Sequence, residues 1–130
     1  MASIYKEVHV EMAADELWSK VRDVGAIDRL LPNLLTGSTL KEDNVRVCGL
    51  PDGGELREQI IAIDDERRRV AYTITEGPAP LTHHHASMQV FADGSGATLV
   101  WITDFRPDDA ADAFGQAMDA AGKDLEAALT

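Results

Sequence analysis

Residues 56–75, LREQIIAIDDERRRVAYTIT, predict a β-hairpin, because two apolar runs rich in β-branched residues flank a charged turn. The same pattern continues on both sides of this hairpin, and short segments rich in Gly, Pro, Asp and Asn separate the runs. Strands joined by such short loops are antiparallel neighbours. The predicted strands of this region are residues 39–41, 45–50, 56–63, 70–75, 82–91 and 98–105.

The amino-terminal part of the chain predicts one more strand and two short helices. Alternating apolar residues such as Val8 and Val10 are typical of a strand with one buried face. In residues 15–24 the apolar positions change to helical spacing, and Gly25 ends that helix. Residues 26–31 predict a second short helix, which a proline stops.

The chain closes with a long predicted helix, which begins after Pro107 and has acidic residues in its first turn. The order of elements predicts an α+β fold, in which this helix covers one face of a curved, seven-stranded antiparallel sheet. The helix is rich in small residues, and two alternatives stay open: close packing against the sheet, or an internal cavity. Its apolar stripe is Phe114, Ala117, Met118, Ala121, Leu125 and Ala128.

Length and charge narrow the class of protein. A chain of 130 residues predicts one domain, residues 1–130. The net charge of −11 argues against nucleic-acid or membrane-surface binding, since acidic residues 64–66 are expected to neutralise the one basic run, residues 67–69. No apolar stretch has the length of a membrane span or the pattern of a secretory signal. The single cysteine, Cys48, favours a reducing compartment, so a cytoplasmic monomer or homodimer is expected.

Three consecutive histidines, His83, His84 and His85, are the most unusual local feature. Adjacent residues of a strand face opposite sides, so the three cannot converge on one ion, and no metal site is predicted. His84 shares the side of the apolar residues that follow it, which places it inside and its two neighbours outside. A neutral imidazole there is either an acid, base or donor toward a pocket, or a core histidine bonded to the backbone.

Glu58 shares its side of the strand with apolar neighbours, which predicts a buried carboxylate. Such a group needs a hydrogen-bond donor or a proton, and the candidate partners are Arg46 and His84. A hairpin with residues 50 and 54 opposed sets Arg46 directly across from Glu58. The two valines that flank Arg46 favour the opposite orientation, toward solvent, so both orientations stay open.

Further side chains are expected on the inner face of the sheet. Tyr72 and Trp101 are either plain core or a flat wall for an aromatic ligand, and Thr103 is an additional hydrogen-bonding candidate. The sequence contains no phosphate-binding loop, dinucleotide-binding glycine pattern, hydrolase elbow or metalloprotease motif, so no cofactor is predicted.

Six segments carry a resemblance that covers essentially the whole chain. They are Leu17-Trp18-Ser19-Lys20-Val21, Gly25-Ala26-Ile27, Gly49-Leu50-Pro51, Asp64-Asp65-Glu66-Arg67-Arg68, Tyr72-Thr73-Ile74 and residues 101–107. With them the chain resembles the START-like, Bet v 1-like helix-grip superfamily, in particular its bacterial polyketide-cyclase/dehydrase and lipid-transport branch. Residues 49–74 are also similar to the plant abscisic-acid receptors, in which a Gly-Leu-Pro loop is a gate over the pocket. Thr36 stands where those receptors have a lysine that pairs with the hormone, so abscisic acid is not the expected ligand.

The resemblance implies that a small hydrophobic or aromatic molecule binds between the sheet and the last helix. The alternatives are a cofactor-free enzyme of the cyclase, dehydratase or lyase type, with Glu58 and His84 as catalytic acid/base pair, and an interaction module that uses its outer sheet face. Whether a reaction is catalysed stays open at this point. The predicted ligand-binding residues are Arg46, Leu50, Glu58, Tyr72, His84, Trp101, Thr103, Phe114 and Met118.

Overall fold

The computed structural model describes residues 1–129, and in them seven strands form one antiparallel sheet. The strands are β1 (Ala2–Val10), β2 (Gly37–Leu40), β3 (Val45–Gly49), β4 (Glu55–Asp64), β5 (Arg69–Glu76), β6 (His83–Asp93) and β7 (Gly96–Arg106). Their order across the open sheet is β1-β7-β6-β5-β4-β3-β2. All neighbours except β1 and β7 are therefore consecutive in the chain, as short connecting loops require.

Two α-helices cover the inner face of the sheet. In α1 (Ala14–Val21) the side chains of Leu17, Trp18 and Val21 are buried on one face, while acidic residues in the first turn and Lys20 in the last complement the helix dipole. The second helix, α2 (Ala111–Ala128), is the long carboxy-terminal one. No helix within residues 1–129 has the length and apolar character needed to cross a bilayer. Residues 1–129 also contain three 3₁₀ segments: Val24–Arg29, Glu42–Asn44 and Asp108–Ala110.

The predicted α+β fold is confirmed, but the end of the first helix differs. It ends at Val21 rather than at residue 24, because the chain turns there into a 3₁₀ segment that packs against β2. The Ser38 hydroxyl of β2 holds this segment, since it donates to the Gly25 carbonyl (2.8 Å) and accepts from the Asp28 N–H (3.2 Å).

The hairpin between β6 and β7 is tighter than predicted. The strands continue to Asp93 and Gly96, which pair directly and leave a two-residue loop. Gly94 makes this loop possible because its φ of 63° is in the left-handed region that favours glycine.

The charged residues of the turn between β4 and β5 form most of their ion pairs outside the turn, whereas the sequence predicts that they neutralise one another. Only Arg67 forms an ion pair within the turn, with Asp64 at 3.3 Å. Arg68 instead pairs with Asp15 at the start of α1 (2.9 Å), and Asp65 pairs with an arginine just after α1 (2.8 Å). These charges therefore fasten the turn to α1, and mutual neutralisation within the turn is only a small part of their role.

Two polar contacts fix the position of α2 over the sheet. Lys6 of β1 forms an ion pair with Asp119. Asp124, which is buried, accepts hydrogen bonds from the backbone N–H (2.8 Å) and the side-chain amide (2.6 Å) of Asn33. Because Asn33 follows the 3₁₀ segment after α1, this contact ties the carboxy-terminal half of α2 to the segment before β2.

Candidate functional site

A cavity of about 150 Å³ lies between the inner face of the sheet and α2. The sequence leaves open whether α2 packs closely against the sheet or leaves an internal cavity, and the structure has the cavity. It exists because α2 presents side chains as small as that of Ala121 at this position, and these leave volume that larger ones would fill. The wall is mostly apolar and includes Leu31, Leu35, Leu56, Met88, Met118 and Ala121.

The structure brings eight of the nine predicted ligand-binding residues to this wall. Leu50 is the exception. Its N–H donates to the Gly54 carbonyl over 2.9 Å, which closes the β3–β4 turn and keeps the Leu50 side chain beside that turn. The residues on the wall are Arg46, Glu58, Tyr72, His84, Trp101, Thr103, Phe114 and Met118.

Arg46 and Glu58 form a buried ion pair on the cavity wall. They are opposite each other in the β3–β4 register, and Arg46 Nε donates to Glu58 Oε1 over 2.8 Å. Their side chains are only 3% and 7% exposed. The guanidinium also donates through Nη1 to the Val24 carbonyl (3.1 Å) and lies over the Tyr72 ring, 4.9 Å from its centroid. Such contacts offset part of the cost of burying the two charges.

The structure therefore has Arg46 in its inward orientation. Val45 and Val47, which favour the other orientation, are half-buried on the outer side of β3 between two neighbouring strands. Cys48 is on the same side as Arg46 and donates weakly to Glu58 Oε1 (3.7 Å). Burial, reinforced by the Glu58 carboxylate, raises the pKa of the Cys48 thiol to about 12, so it stays protonated.

His84 lies where β5 and β6 separate. Backbone pairing between the two strands stops at Tyr72 and Ala86, although both strands continue beyond that point. The imidazole enters the separation, and the Ile74 N–H donates to its Nδ1 over 2.9 Å. A side chain thus accepts the backbone N–H that the sheet ladder leaves without a partner.

The His84 ring is neutral near pH 7. Burial, with smaller contributions from His85 and His83, lowers the pKa of His84 from 6.5 to about 4. Because Nδ1 accepts the Ile74 N–H, the hydrogen-bond network assigns the proton of the neutral ring to Nε2. The ring centroid is 6.1 Å from that of Phe114 in α2, and because Nδ1 is occupied, the remaining ring nitrogen is a donor and not a base.

Aromatic residues form one side of the wall. Trp101 Nε1 donates to the Tyr72 hydroxyl over 3.0 Å, which joins the two rings within the wall and leaves the Tyr72 O–H as a donor. Phe114 of α2 stacks on Phe105 with the ring centroids 4.8 Å apart. The rings of Tyr72, Trp101 and Phe114 border the cavity and do not fill it.

Several residues of the wall are absent from the predicted set, although the sequence contains a signal for four of them. Leu31 and Leu35 are four residues apart, a spacing that places them on one side of a helical turn. Ala117 and Ala121 share a helical face with predicted residues of α2. Asp124, which positions α2, gives no such signal, because its partner is far away in sequence.

The two histidines that flank His84 are not part of the cavity wall. His83 is exposed and His85 is half-buried on the outer face of the sheet. In the described part of the chain, no three His, Cys, Asp or Glu side chains lie close enough together to hold a metal ion.

A family model described as polyketide cyclase/dehydrase and lipid transport matches residues 1–130. The chain belongs to this family. The predicted resemblance to START-like and Bet v 1-like proteins is confirmed by the family match and by solved structures with the same fold. No curated protein matches the chain at a significant level.

Solved structures similar to this member of the polyketide cyclase/dehydrase and lipid transport family come from bacteria and plants. The protein XoxI from Bacillus cereus has a TM-score of 0.89 at 23% identity, over 99% of this chain and 96% of the other. A START superfamily protein from Mycobacterium smegmatis has a TM-score of 0.78 at 16% identity, over 98% and 96%. Norcoclaurine synthase from Thalictrum flavum has a TM-score of 0.69 at 18% identity, over 94% and 84%. Family and fold together indicate a cavity protein that binds a ligand.

Proposed function

We propose that this family member binds a small apolar or aromatic molecule in the cavity between the sheet and α2. The observation that carries the proposal is the cavity of about 150 Å³, whose wall is mostly apolar with a small number of polar side chains. Small-molecule sites typically have this composition. A dry apolar cavity of about 150 Å³ accommodates one benzene ring, so the ligand is expected to be of single-ring size.

The aromatic side chains of the wall support a ring-shaped ligand. Tyr72, Trp101 and Phe114 all border the cavity, and aromatic rings attract one another in stacked or edge-to-face arrangements. The structure of norcoclaurine synthase, which has the same fold, is a complex with dopamine and hydroxybenzaldehyde. Each of those molecules contains an aromatic ring, which supports an aromatic ligand for this family member.

The local geometry favours binding over acid/base catalysis by Glu58 and His84. Glu58 is paired with Arg46, and the Nδ1 lone pair of His84 is used by the Ile74 N–H. With a pKa of about 4, His84 is a neutral imidazole near pH 7, so the imidazolium form that would act as a general acid is not populated. Each group can therefore orient a ligand through a hydrogen bond, while neither is prepared to exchange a proton with the other.

Filling the cavity tests the proposal. Ala121 is 1% exposed and borders the cavity, so Ala121→Leu places an isobutyl group inside it. Ala120 is exposed on the same helix, and Ala120→Leu is the matched control for the same chemical change. Wild type and Ala120→Leu should bind toluene, whereas Ala121→Leu should bind it at least about tenfold more weakly, since one side chain occupies most of a single-ring volume.

Methionine methyl NMR provides the readout. Of the four methionines, Met88 and Met118 border the cavity, and Met1 and Met12 lie elsewhere and are internal references. Toluene should shift the first two signals and leave the references unchanged. Mass spectrometry under native conditions is an independent measurement, because a molecule that co-purifies in the cavity should be lost from Ala121→Leu alone. A wild type that carries no such molecule and responds to no single-ring probe, toluene included, would refute the proposal.

A further inference from the structure

Among residues 1–129, several polar atoms on the cavity wall have no hydrogen-bond partner. Glu58 Oε1 accepts from Arg46 Nε and Cys48 Sγ, and Oε2 is left over. Arg46 forms hydrogen bonds through Nε and Nη1, and its Nη2 forms none. His84 accepts a hydrogen bond at Nδ1, and its Nε2 forms none. Every fully buried side-chain nitrogen or oxygen in this range does have a partner. The leftover atoms therefore keep accessible surface, and their side chains border the cavity.

The ionisable groups of the wall add up to no net charge. The Arg46 guanidinium and the Glu58 carboxylate neutralise each other. His84 is neutral, and burial raises the pKa values of Tyr72 and Cys48, so both keep their protons. An ion that entered the cavity would lose its hydration without gaining an unpaired counter-charge. The cavity therefore favours an uncharged ligand.

The leftover atoms also specify the polar group of that ligand. Glu58 Oε2 is an acceptor that needs a donor, whereas His84 Nε2 and Arg46 Nη2 are donors that need an acceptor. A hydroxyl group is the smallest uncharged group that both donates and accepts. Resting on the proposed function, we infer that the ligand is an uncharged single-ring alcohol or phenol whose hydroxyl group donates a hydrogen bond to Glu58 Oε2.

Three probes of similar shape separate the parts of this inference. Phenol is uncharged at pH 7 and has the hydroxyl, toluene is uncharged and lacks it, and benzoate is an anion. Wild type should bind phenol at least about tenfold more tightly than toluene, because a hydrogen bond to a charged group contributes that much. Benzoate should bind most weakly. Isothermal titration calorimetry at pH 7 measures the order, and the methyl signals of Met88 and Met118 report where each probe binds.

A double variant tests whether the ion pair causes the preference for phenol over toluene. Arg46→Met/Glu58→Leu replaces both charges by apolar side chains of similar length, a change that buried pairs often tolerate. This variant should bind toluene more tightly than phenol, because the hydroxyl group loses its acceptor. The control is Arg22→Met/Asp65→Leu, which removes an ion pair at the surface whose side chains are 48% and 63% exposed. This control should still bind phenol more tightly than toluene.

A measurement on wild type keeps the assignment testable if the double variant does not fold. The ¹³C signal of the Glu58 carboxyl carbon should shift clearly further on addition of phenol than on addition of toluene. A carboxyl signal that does not respond to bound phenol would overturn the assignment to Glu58, and so would an unchanged order of probes in a folded double variant.

The outcomes distinguish this inference from the proposed function. A wild type that binds neither phenol nor toluene overturns the proposed function. Toluene binding as tight as phenol binding supports the proposed function and overturns the inferred hydroxyl group. Benzoate binding tighter than phenol binding overturns the inferred absence of charge.

Discussion

The buried pair of Arg46 and Glu58 should respond unequally to loss of either partner. Breaking a buried pair from one side costs about 3–5 kcal/mol of stability. Glu58→Leu leaves a guanidinium that cannot lose its proton and keeps only the Val24 carbonyl and the Tyr72 ring, so we expect the upper end of that range. Arg46→Met leaves a carboxyl group that can take up a proton and keeps the Cys48 thiol as donor, so we expect the lower end.

The double variant Arg46→Met/Glu58→Leu should be within about 2 kcal/mol of wild type, because well-packed apolar residues often replace a buried pair without loss. The double-mutant cycle should then give a coupling of at least about 3 kcal/mol. Urea unfolding followed by circular dichroism at pH 7 measures all four proteins. The same cycle on the exposed pair of Arg22 and Asp65 is the control and should give about 0–1 kcal/mol.

Two results would refute this reasoning. The first is additivity of the two single changes, since it would mean that the charges do not depend on each other inside the protein. The second is a larger loss of stability in Arg46→Met than in Glu58→Leu, which would show that the asymmetry has been assigned to the wrong partner.

Three further tests concern single side chains. The pKa of His84 is about 4 in the fold against 6.5 in the unfolded chain, so the unfolded state binds more protons between these values. Stability should therefore fall as the pH falls from 6.5 toward 4, by up to about 1.4 kcal/mol per pH unit from this group. His84→Asn keeps an acceptor for the Ile74 N–H, and its unfolding free energy, measured with urea at pH 7 and at pH 5, should change less between the two pH values than that of wild type. An equal change in both proteins would count against the buried neutral ring. Cys48 should react with a thiol reagent at pH 8 on the order of a thousandfold more slowly in the native protein than in urea, and equal rates would mean that the thiol is accessible. Asp124→Ala removes two hydrogen bonds and should lower the unfolding free energy by about 2–3 kcal/mol. Asp124→Asn should lower it less, and an unchanged urea midpoint in Asp124→Ala would show that Asn33 does not hold α2.

The order of elements and the inward direction of two site residues could be predicted from periodicity. Side chains of a strand alternate between its faces, so the apolar neighbours of Glu58 and His84 are sufficient to place both inside. The same rule gives the opposite answer for Arg46, because its neighbours are valines. Its burial depends on contacts with Glu58 and the Val24 carbonyl, and these come from other parts of the chain. Local alternation contains no information about them.

The cavity itself could not be predicted, because its volume depends on where α2 lies. That position is set by the contact of Asp124 with Asn33, which are 91 residues apart, and by the ion pair of Lys6 with Asp119. Composition indicates only that α2 is made of small residues. The environment of His84 is equally hidden, since strand propensity does not reveal that β5 and β6 separate after Tyr72.

That separation has a consequence for the permeability of the sheet. His84 borders the inner cavity and also a groove on the outer face, which it lines together with Thr73, Thr75 and His85. At this position β5 and β6 are joined through the His84 side chain, because their backbone pairing has already stopped. A substitution of this one residue can therefore open or seal a window through the sheet while the remaining backbone pairing between β5 and β6 stays as it is.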